Sequence, residues 1–261
     1  MRRGLRIYLR YIRISFSTAA AYRANFFFTQ CIALLSRLLV PLVTVLIYAG
    51  GQRIPGWSFE EALLIQSVFM LCTGACAPLF NNIIWVTMSR VREGTYDMVL
   101  LKPCSAMFLT VAEAFDIEYL GTLVGGIAMF GYAVSRMPAQ PELGGWLLFA
   151  LLLLMGMCMT LGCLLLMSSA MFRWVGNSRM YEIFDAVTTF GRYPGTIFSR
   201  LLGGLSTYII PVAMMGYIPA ASLLGRASPS LLVACLPCAL FLLLGVAVFR
   251  RMTYLYQSAG G

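Results

Sequence analysis

The sequence contains no histidine and a single lysine, Lys102, and charged residues make up only 11% of its 261 residues. The lack of histidine excludes Ser-His-Asp and Cys-His catalysis as well as histidine-ligated metals. Lys102 precedes Pro103, whereas a phosphate-binding P-loop requires a glycine-lysine pair followed by serine or threonine. We therefore expect no catalytic residue, metal site or cofactor site in this chain. Any ATP-driven work would come from a partner protein.

The scarcity of charge accompanies a strongly apolar composition. Apolar residues make up 60% of the sequence and the mean hydropathy is +0.83, whereas soluble domains carry about 25% charged residues. So few charges would not cover the surface of a soluble protein of this length. Because a membrane-spanning helix needs about 20 apolar residues, the composition predicts an all-α integral membrane protein with six transmembrane helices.

The net charge of +9 comes from 19 basic and 10 acidic residues. Residues 1–23 carry six arginines and no acidic residue, and Leu5, Leu9 and Phe16 fall on one face of a helical wheel. Such a basic amphipathic helix is typical of the membrane interface, where arginines meet anionic lipid. We therefore predict an N-terminal interfacial helix and contact with membrane lipid rather than with nucleic acid.

The long apolar runs and the basic residues between them predict the topology. The arginines of the N-terminus, of the 86–103 loop and of the C-terminus fall on one side of the membrane. Basic residues mark the cytoplasmic side, so we expect both termini to be cytoplasmic and the number of spans to be even. Five spans are expected at 24–50, 63–85, 106–134, 146–172 and 231–249.

Residues 176–224 are expected to contain the sixth span, and two arrangements are possible. In the first, 176–193 forms a short polar span, followed by a broken re-entrant hairpin on the outer side. In the second, 173–200 lies at the cytoplasmic face and 203–224 crosses once. Four arginines favour the second arrangement, and Pro211 and Pro219 favour the first.

Several charged residues fall within the predicted spans. Arg37 lies near the middle of its span, where a charge is costly. We expect it to pair with a carboxylate such as Glu113, Asp116 or Glu182, or alternatively to contact a substrate headgroup. Proton relay through acidic residues near the start of the third span would instead indicate an ion-coupled secondary carrier. The intramembrane polar residues are predicted to be Arg37, Glu113, Asp116, Glu118, Glu182 and Asp185.

An ordered series of short motifs along the chain resembles the permease subunits of type-2 ABC exporters, the group described as ABC-2 family transporter protein. The loop from Val91 to Pro103 is similar to that family's arginine, Gly, Asp, Leu-Leu, Lys/Arg-Pro pattern. The other matching motifs, in order, are Tyr22-Arg23, Gly56-Trp57-Ser58, Phe172-Arg173-Trp174, Tyr193-Pro194, Ile197-Phe198, Ile209-Ile210-Pro211-Val212, Ile218-Pro219-Ala220 and Leu223-Leu224-Gly225.

The resemblance implies six membrane helices, an interfacial N-terminal helix and a cytoplasmic coupling helix between spans two and three. It also implies a pair of permeases, identical or paralogous, in a bacterial inner membrane. Each permease would rest on one subunit of an ABC ATPase dimer that binds ATP and Mg. The substrate class stays open among lipids, glycolipids, peptides and drug-like molecules.

The 86–103 loop is the best candidate for contact with the ATPase, because it concentrates charge in a chain that otherwise avoids it. We expect Val91 and Tyr96 to be apolar anchors in a groove of the ATPase, with Arg92, Glu93 and Asp97 making polar contacts around them. Gly94 would break or bend the coupling helix and let the chain turn back.

Overall fold

The computed structural model describes residues 2–137, 140–174 and 179–257, and none of these residues lies in a strand. Helix α1 (Arg2–Ala21) and helix α2 (Arg23–Ala49) are separated at Tyr22. The Ser15 hydroxyl of α1 accepts a hydrogen bond of 3.1 Å from the backbone amide of Ile117. Most apolar side chains of α2 are exposed, as expected of a helix that meets lipid rather than water.

The central element is helix α3 (Phe59–Phe80), most of which is buried. It begins with a capping box: the Ser58 hydroxyl accepts from the amide of Glu61, and the Glu61 carboxylate accepts from the amide of Ser58. This reciprocal pair satisfies two amides that a helix start otherwise leaves open. After a short turn the chain continues as α4 (Ile83–Arg92) and, beyond a tight loop, α5 (Asp97–Leu100).

The predicted span at 106–134 is not one continuous helix. It consists of α6 (Ala106–Glu113), a single 3₁₀ turn at Ile117–Tyr119 and α7 (Leu120–Ser135). The interruption centres on Asp116, which has extended backbone and whose carboxylate accepts from the amide of Glu118 at 2.9 Å. An aspartate in this conformation caps the following helix instead of continuing the preceding one.

Helix α8 (Leu143–Met171) is followed by helix α9 (Arg179–Thr188) and two 3₁₀ turns, at Thr189–Arg192 and Gly195–Ile197. Residues 176–178, the predicted start of the fifth span, lie outside the described residues. The segment 179–197 contacts α3 near both of its ends, in the antiparallel sense. Its Tyr181 hydroxyl accepts from Asn81 at one end of α3, at 2.8 Å. Its Thr196 hydroxyl accepts from the Trp57 indole at the other end, also at 2.8 Å.

Residues 199–224 form a hairpin that enters the bundle and returns. It consists of α10 (Arg200–Gly204), a π-helical turn at Leu205–Ile209, a 3₁₀ turn at Val212–Met215 and α11 (Tyr217–Leu223). Gly191 and Gly216 let the tip of the hairpin pack closely against residues 189–192. A Cβ on Gly191 would lie 2.4 Å from the carbonyl oxygen of Val212, and one on Gly216 would lie 2.4 Å from that of Gly191. The tip is buried. Pro211 lies between two helical turns, whereas Pro219 lies in the first turn of α11, where a proline is tolerated.

Helix α12 (Pro229–Leu232) leads into α13 (Cys235–Leu255), which packs along α8. Among the described residues, five helical segments are long and apolar enough to cross a membrane. They are Arg23–Ala49, Phe59–Arg92, Ile117–Ser135, Leu143–Met171 and Pro229–Leu255. The sixth predicted span lies in the 179–224 region, where the helices are too short to meet the same test.

Candidate functional site

The loop between α4 and α6 turns sharply at Gly94, whose φ is +67°. The amide of Thr95 donates 2.9 Å to the carbonyl of Arg90, which closes the end of α4. A left-handed glycine directly after a helix is a common way to satisfy its last carbonyls. Gly94 therefore ends α4 and reverses the chain, as the sequence predicts.

This reversal carries two of the predicted anchors into the protein. Val91 is 5% exposed and Tyr96 is fully buried, in a core cluster with Val99 and Leu109. The Tyr96 ring meets Phe172 edge-on, with 4.8 Å between ring centroids. The structure therefore places Val91 and Tyr96 in the core of this chain, whereas the sequence predicts that they are anchors in a groove of the ATPase. An apolar side chain in this loop can be buried in the core of the chain or against a partner protein, and the path of the loop buries these two in the core.

Other residues of the same loop face outward and were not singled out from the sequence. Leu101 is 84% exposed and Met98 is 61% exposed, while Asp97 is half-buried. The signal in the sequence was the presence of two apolar residues, Met98 and Leu101, within a charged loop. We define the coupling surface by its exposed members: Arg92, Glu93, Met98, Leu101 and Lys102.

An ion pair joins this loop to the next helix. The Arg90 guanidinium donates through two nitrogens to the carboxylate of Glu113 at the end of α6. Both side chains are about four-fifths buried, with 24% and 21% exposed. Glu113 is therefore paired with Arg90 and not with Arg37.

The two other carboxylates of the expected acidic cluster are placed separately. Asp116 caps the turn at 117 and accepts from the Asn82 amide at 3.3 Å. At Glu118, the backbone carbonyl accepts a hydrogen bond of 2.6 Å from the side-chain amide of Gln30. Because Glu113 and Asp116 are engaged in local contacts, these residues give no support to a proton relay.

Arg37 forms no salt bridge with any residue in the described part of the chain, and Glu182 and Asp185 are exposed on α9. Instead, Arg37 and Arg192 line one small cavity of about 20 Å³, together with Gln66 of α3. The Arg192 guanidinium lies 5.0 Å above the ring of Phe69. The structure thus brings Arg37 next to another cation rather than next to a carboxylate.

A second polar group holds the other end of α3. Arg226 pairs with Glu61 at 2.7 Å, and its guanidinium lies 4.8 Å from the centre of the Trp57 ring. The Trp57 ring also meets Tyr217 of α11 edge-on at 5.8 Å. These contacts, with the bond from Trp57 to Thr196, tie the start of α3 to both the 179–197 segment and the hairpin.

In the part of the chain that the structure describes, five helices are long and apolar enough to cross a membrane, and a charged loop joins α4 to α6. Comparison with protein families agrees, since the model of the ABC-2 family transporter protein matches residues 34–260. The chain therefore belongs to the ABC-2 transporter family and is a multi-pass membrane permease of an ABC transporter. Neither the curated proteins nor the solved structures included a match to it.

Proposed function

We propose that the chain is the permease subunit of an ATP-driven exporter in a bacterial cytoplasmic membrane. The proposal adds a partner ATPase dimer and a second permease, identical or paralogous, to the family membership. ATP and its magnesium ion would be held by the ATPase, because the only lysine of this chain lies before a proline and outside any P-loop. Membrane lipid surrounds the complex.

The proposed topology has six crossings. Five are the long apolar helices, and the sixth is 179–197, which follows α3 from the Asn81 end to the Trp57 end. A helix as long as α3 spans about 33 Å, enough for a bilayer core. Residues 199–224 then form a re-entrant hairpin, because irregular backbone is tolerated at membrane depth only where protein or water surrounds it.

The orientation rests on the positions of the arginines. The basic residues of α1, of the α4–α6 loop and of the end of α13 mark one side as cytoplasmic. In this orientation α1 lies at the cytoplasmic interface, where its exposed Leu5 and Leu9 contact lipid. The Trp57 group, including Arg226 and Glu61, then closes the outer end of the bundle.

The single observation that carries the coupling proposal is the exposure of aliphatic residues inside the charged cytoplasmic loop. Leu101 and Met98 are exposed to a side where no lipid is expected, so contact with another protein removes their apolar area from water. Arg92, Glu93 and Lys102 surround them with charge, as is usual at the rim of an interface. The coupling surface is therefore the proposed seat of the ATPase.

The Arg90–Glu113 ion pair suggests how movement of this surface reaches the membrane. It joins the end of α4 to α6, and α6 is separated from α7 by the non-helical residues 114–116. A displacement of the coupling surface would therefore pull on α6 and be taken up at that interruption. Alternation between inward-facing and outward-facing states would start from this hinge.

The test replaces Met98 and Leu101 with glutamate and measures recovery of the proposed ABC ATPase partner when the two proteins are co-expressed. We expect co-purification to fall by about tenfold or more, as is common when central interface residues are replaced, and ATP hydrolysis in the recovered complex to lose its dependence on the permease. The matched control is Leu143→Glu, an equally drastic change at a residue that is 77% exposed at the opposite end of the bundle.

Unchanged recovery of the ATPase, with unchanged hydrolysis, in the Met98→Glu/Leu101→Glu variant would contradict the coupling surface. Loss of recovery in the Leu143→Glu control as well would show that the effect is general to the fold. Detergent-extracted variants are first compared by gel filtration so that only folded permease is scored.

A further inference from the structure

Arg37 and Arg192 lie close together in the bundle, and Asp185 is near enough to Arg192 to attract it electrostatically. Arg37 is the fifteenth residue of the 27-residue helix α2, and Arg192 lies beside Phe69 near the middle of α3. Neither forms a salt bridge within the described ranges 2–137, 140–174 and 179–257. Both residues are half-buried.

A buried acceptor points into the same place. Gln66 is 4% exposed and lines the cavity with the two arginines. Its side-chain amide donates 2.6 Å to the Thr44 hydroxyl, and that hydroxyl donates to the carbonyl of Val40. In this orientation of the amide, its oxygen, Oε1, has no hydrogen-bond partner. A buried acceptor without a donor is costly unless a ligand or water supplies one.

The three side chains together specify a ligand chemistry. Two guanidinium groups present several N–H donors, which match the oxygens of a phosphate or carboxylate. The free oxygen of Gln66 requires a donor, such as a hydroxyl or an N–H group next to the anion. Zwitterionic choline headgroups fit this set poorly, because their positive group has no N–H and would lie beside two cations.

We propose that Arg37, Arg192 and Gln66 form a binding site for the anionic, hydroxyl-bearing headgroup of an amphiphilic substrate. The assignment rests on the proposed export function and narrows its substrate class. The cavity of about 20 Å³ accommodates little more than one oxygen atom. A headgroup oxygen therefore enters it, while the remainder of the headgroup stays at the bundle surface and the acyl chain remains in the lipid.

Simple structural roles for the arginines explain less. Stacking on Phe69 accounts for one face of Arg192, but it leaves Arg37 without a salt bridge among the described residues. An interior cation is expensive in a membrane, and two adjacent cations repel each other, so a structural purpose alone would favour pairing each with a carboxylate. Asp185 attracts Arg192 only from beyond salt-bridge distance, and among the described residues neither it nor Glu182 forms a salt bridge with either arginine.

The test measures binding of lysophosphatidylglycerol and lysophosphatidylcholine to the purified full-length permease by native mass spectrometry. Lysophosphatidylglycerol carries the phosphate and headgroup hydroxyls without a cation. We expect it to bind about tenfold tighter than the choline lipid, and the Arg37→Gln/Arg192→Gln variant to lose that preference, since charged hydrogen bonds contribute an effect of this order. Glycerol 3-phosphate, the headgroup alone, should bind far more weakly than the lipid.

A matched control removes two positive charges elsewhere. The Arg250→Gln/Arg251→Gln variant changes two exposed arginines at the end of α13, and it should keep the preference for lysophosphatidylglycerol. Wild-type preference in the Arg37→Gln/Arg192→Gln variant, or equal loss in the control, would overturn the proposal. Binding of glycerol 3-phosphate as tight as that of the lipid would replace an amphiphile with a soluble anion as the ligand.

A second measurement does not depend on the folding of variants. A photoactivatable lysophosphatidylglycerol analogue with its reactive group in the headgroup is irradiated with the unmodified permease, and the labelled peptides are identified. Labelling of peptides that contain Arg37, Gln66 or Arg192 supports the site. Labelling confined to other peptides, including those of the basic helix α1, refutes it.

The site and the export function fail in different ways. The Arg37→Gln/Arg192→Gln variant leaves the coupling surface intact, so it should still recover the ATPase. Normal recovery of the ATPase without any lipid preference in the wild-type permease would remove the site and leave the exporter. Failure of the wild-type permease to bind the ATPase would remove the exporter, whatever the lipid measurement shows.

Discussion

At the scale of single residues, Tyr96 shows how a charged cytoplasmic loop is tied to the membrane helices. Its ring is enclosed by Phe172 after α8 and by Tyr256 after α13, with 5.4 Å between its centroid and that of Tyr256. Burial raises the pKa of the Tyr96 phenol above its ordinary value. The side chain is therefore a neutral part of the core over the physiological pH range.

We expect Tyr96→Ala to destabilise the permease itself, by about 3 kcal/mol or more, because removal of a buried aromatic ring leaves a cavity. The measurement is the thermal unfolding midpoint in detergent, which should fall by several degrees. In contrast, Tyr96→Phe keeps the ring and loses only the contacts of its hydroxyl with Thr110, at 3.4 Å, and with Thr253, so its midpoint should fall far less than that of Tyr96→Ala. Equal midpoints for all three proteins would place Tyr96 outside the core.

At the scale of elements, α8 and α13 are held together by close contact at two glycines. A Cβ on Gly162 would lie 2.4 Å from backbone atoms of Phe241, and one on Gly245 would lie 2.4 Å from the carbonyl oxygen of Gly162. Small residues at such crossings allow helix backbones to approach, and van der Waals packing then stabilises helix association in lipid. This pair of helices therefore depends on the absence of side chains at these positions.

We expect Gly162→Ala to force α8 and α13 apart and to lower both the yield of folded permease and its unfolding midpoint. The matched control is Gly131→Ala on α7, where a Cβ meets no atom within 4 Å. That control should be neutral or slightly stabilising, because alanine is favoured over glycine in a helix by about 1 kcal/mol. A wild-type midpoint for Gly162→Ala would show that the two helices separate without cost.

At the scale of the whole molecule, the path of residues 179–224 decides how many times the chain crosses the membrane. If 179–197 crosses, then Ser199, which is exposed, lies on the outer side with the loops near Arg53 and Glu142. If 173–200 instead lies at the cytoplasmic face, Ser199 lies inside with Arg92 and Arg251. Ser199 is thus the position that separates the two arrangements.

We expect a cysteine introduced at Ser199, in a variant lacking the native cysteines, to react with an impermeant thiol reagent in intact cells. Cysteines at Arg53 and Glu142 should react as positive controls, whereas those at Arg92 and Arg251 should be protected until the membrane is permeabilised. Protection of Ser199 would restore the arrangement with 203–224 as the sixth crossing. Labelling at Arg92 from outside would contradict the orientation and the coupling surface with it.

Much of this protein follows from the sequence alone, because apolar length and charge position act locally. The run at 24–50, the apolar segment at 146–172 and the arginines of residues 1–23 predict helices that the structure has at Arg23–Ala49, Leu143–Met171 and Arg2–Ala21. The motifs predicted the family, which the match over residues 34–260 confirms. These features depend on whether each segment is more stable in lipid, in water or at the boundary between them, which its own residues determine.

The tertiary structure decided which residues meet, since that depends on contacts between distant parts of the chain. Composition could not show that Tyr96 turns inward while Leu101 faces out, because both are apolar residues of one loop and only the folded path of that loop distinguishes them. Likewise, the sequence alone could not show whether Glu113 or Arg192 lies beside Arg37. Folding gave Glu113 to Arg90 and placed Arg192 beside Arg37, because the packing of α6 and of residues 189–192 against α3 sets those distances.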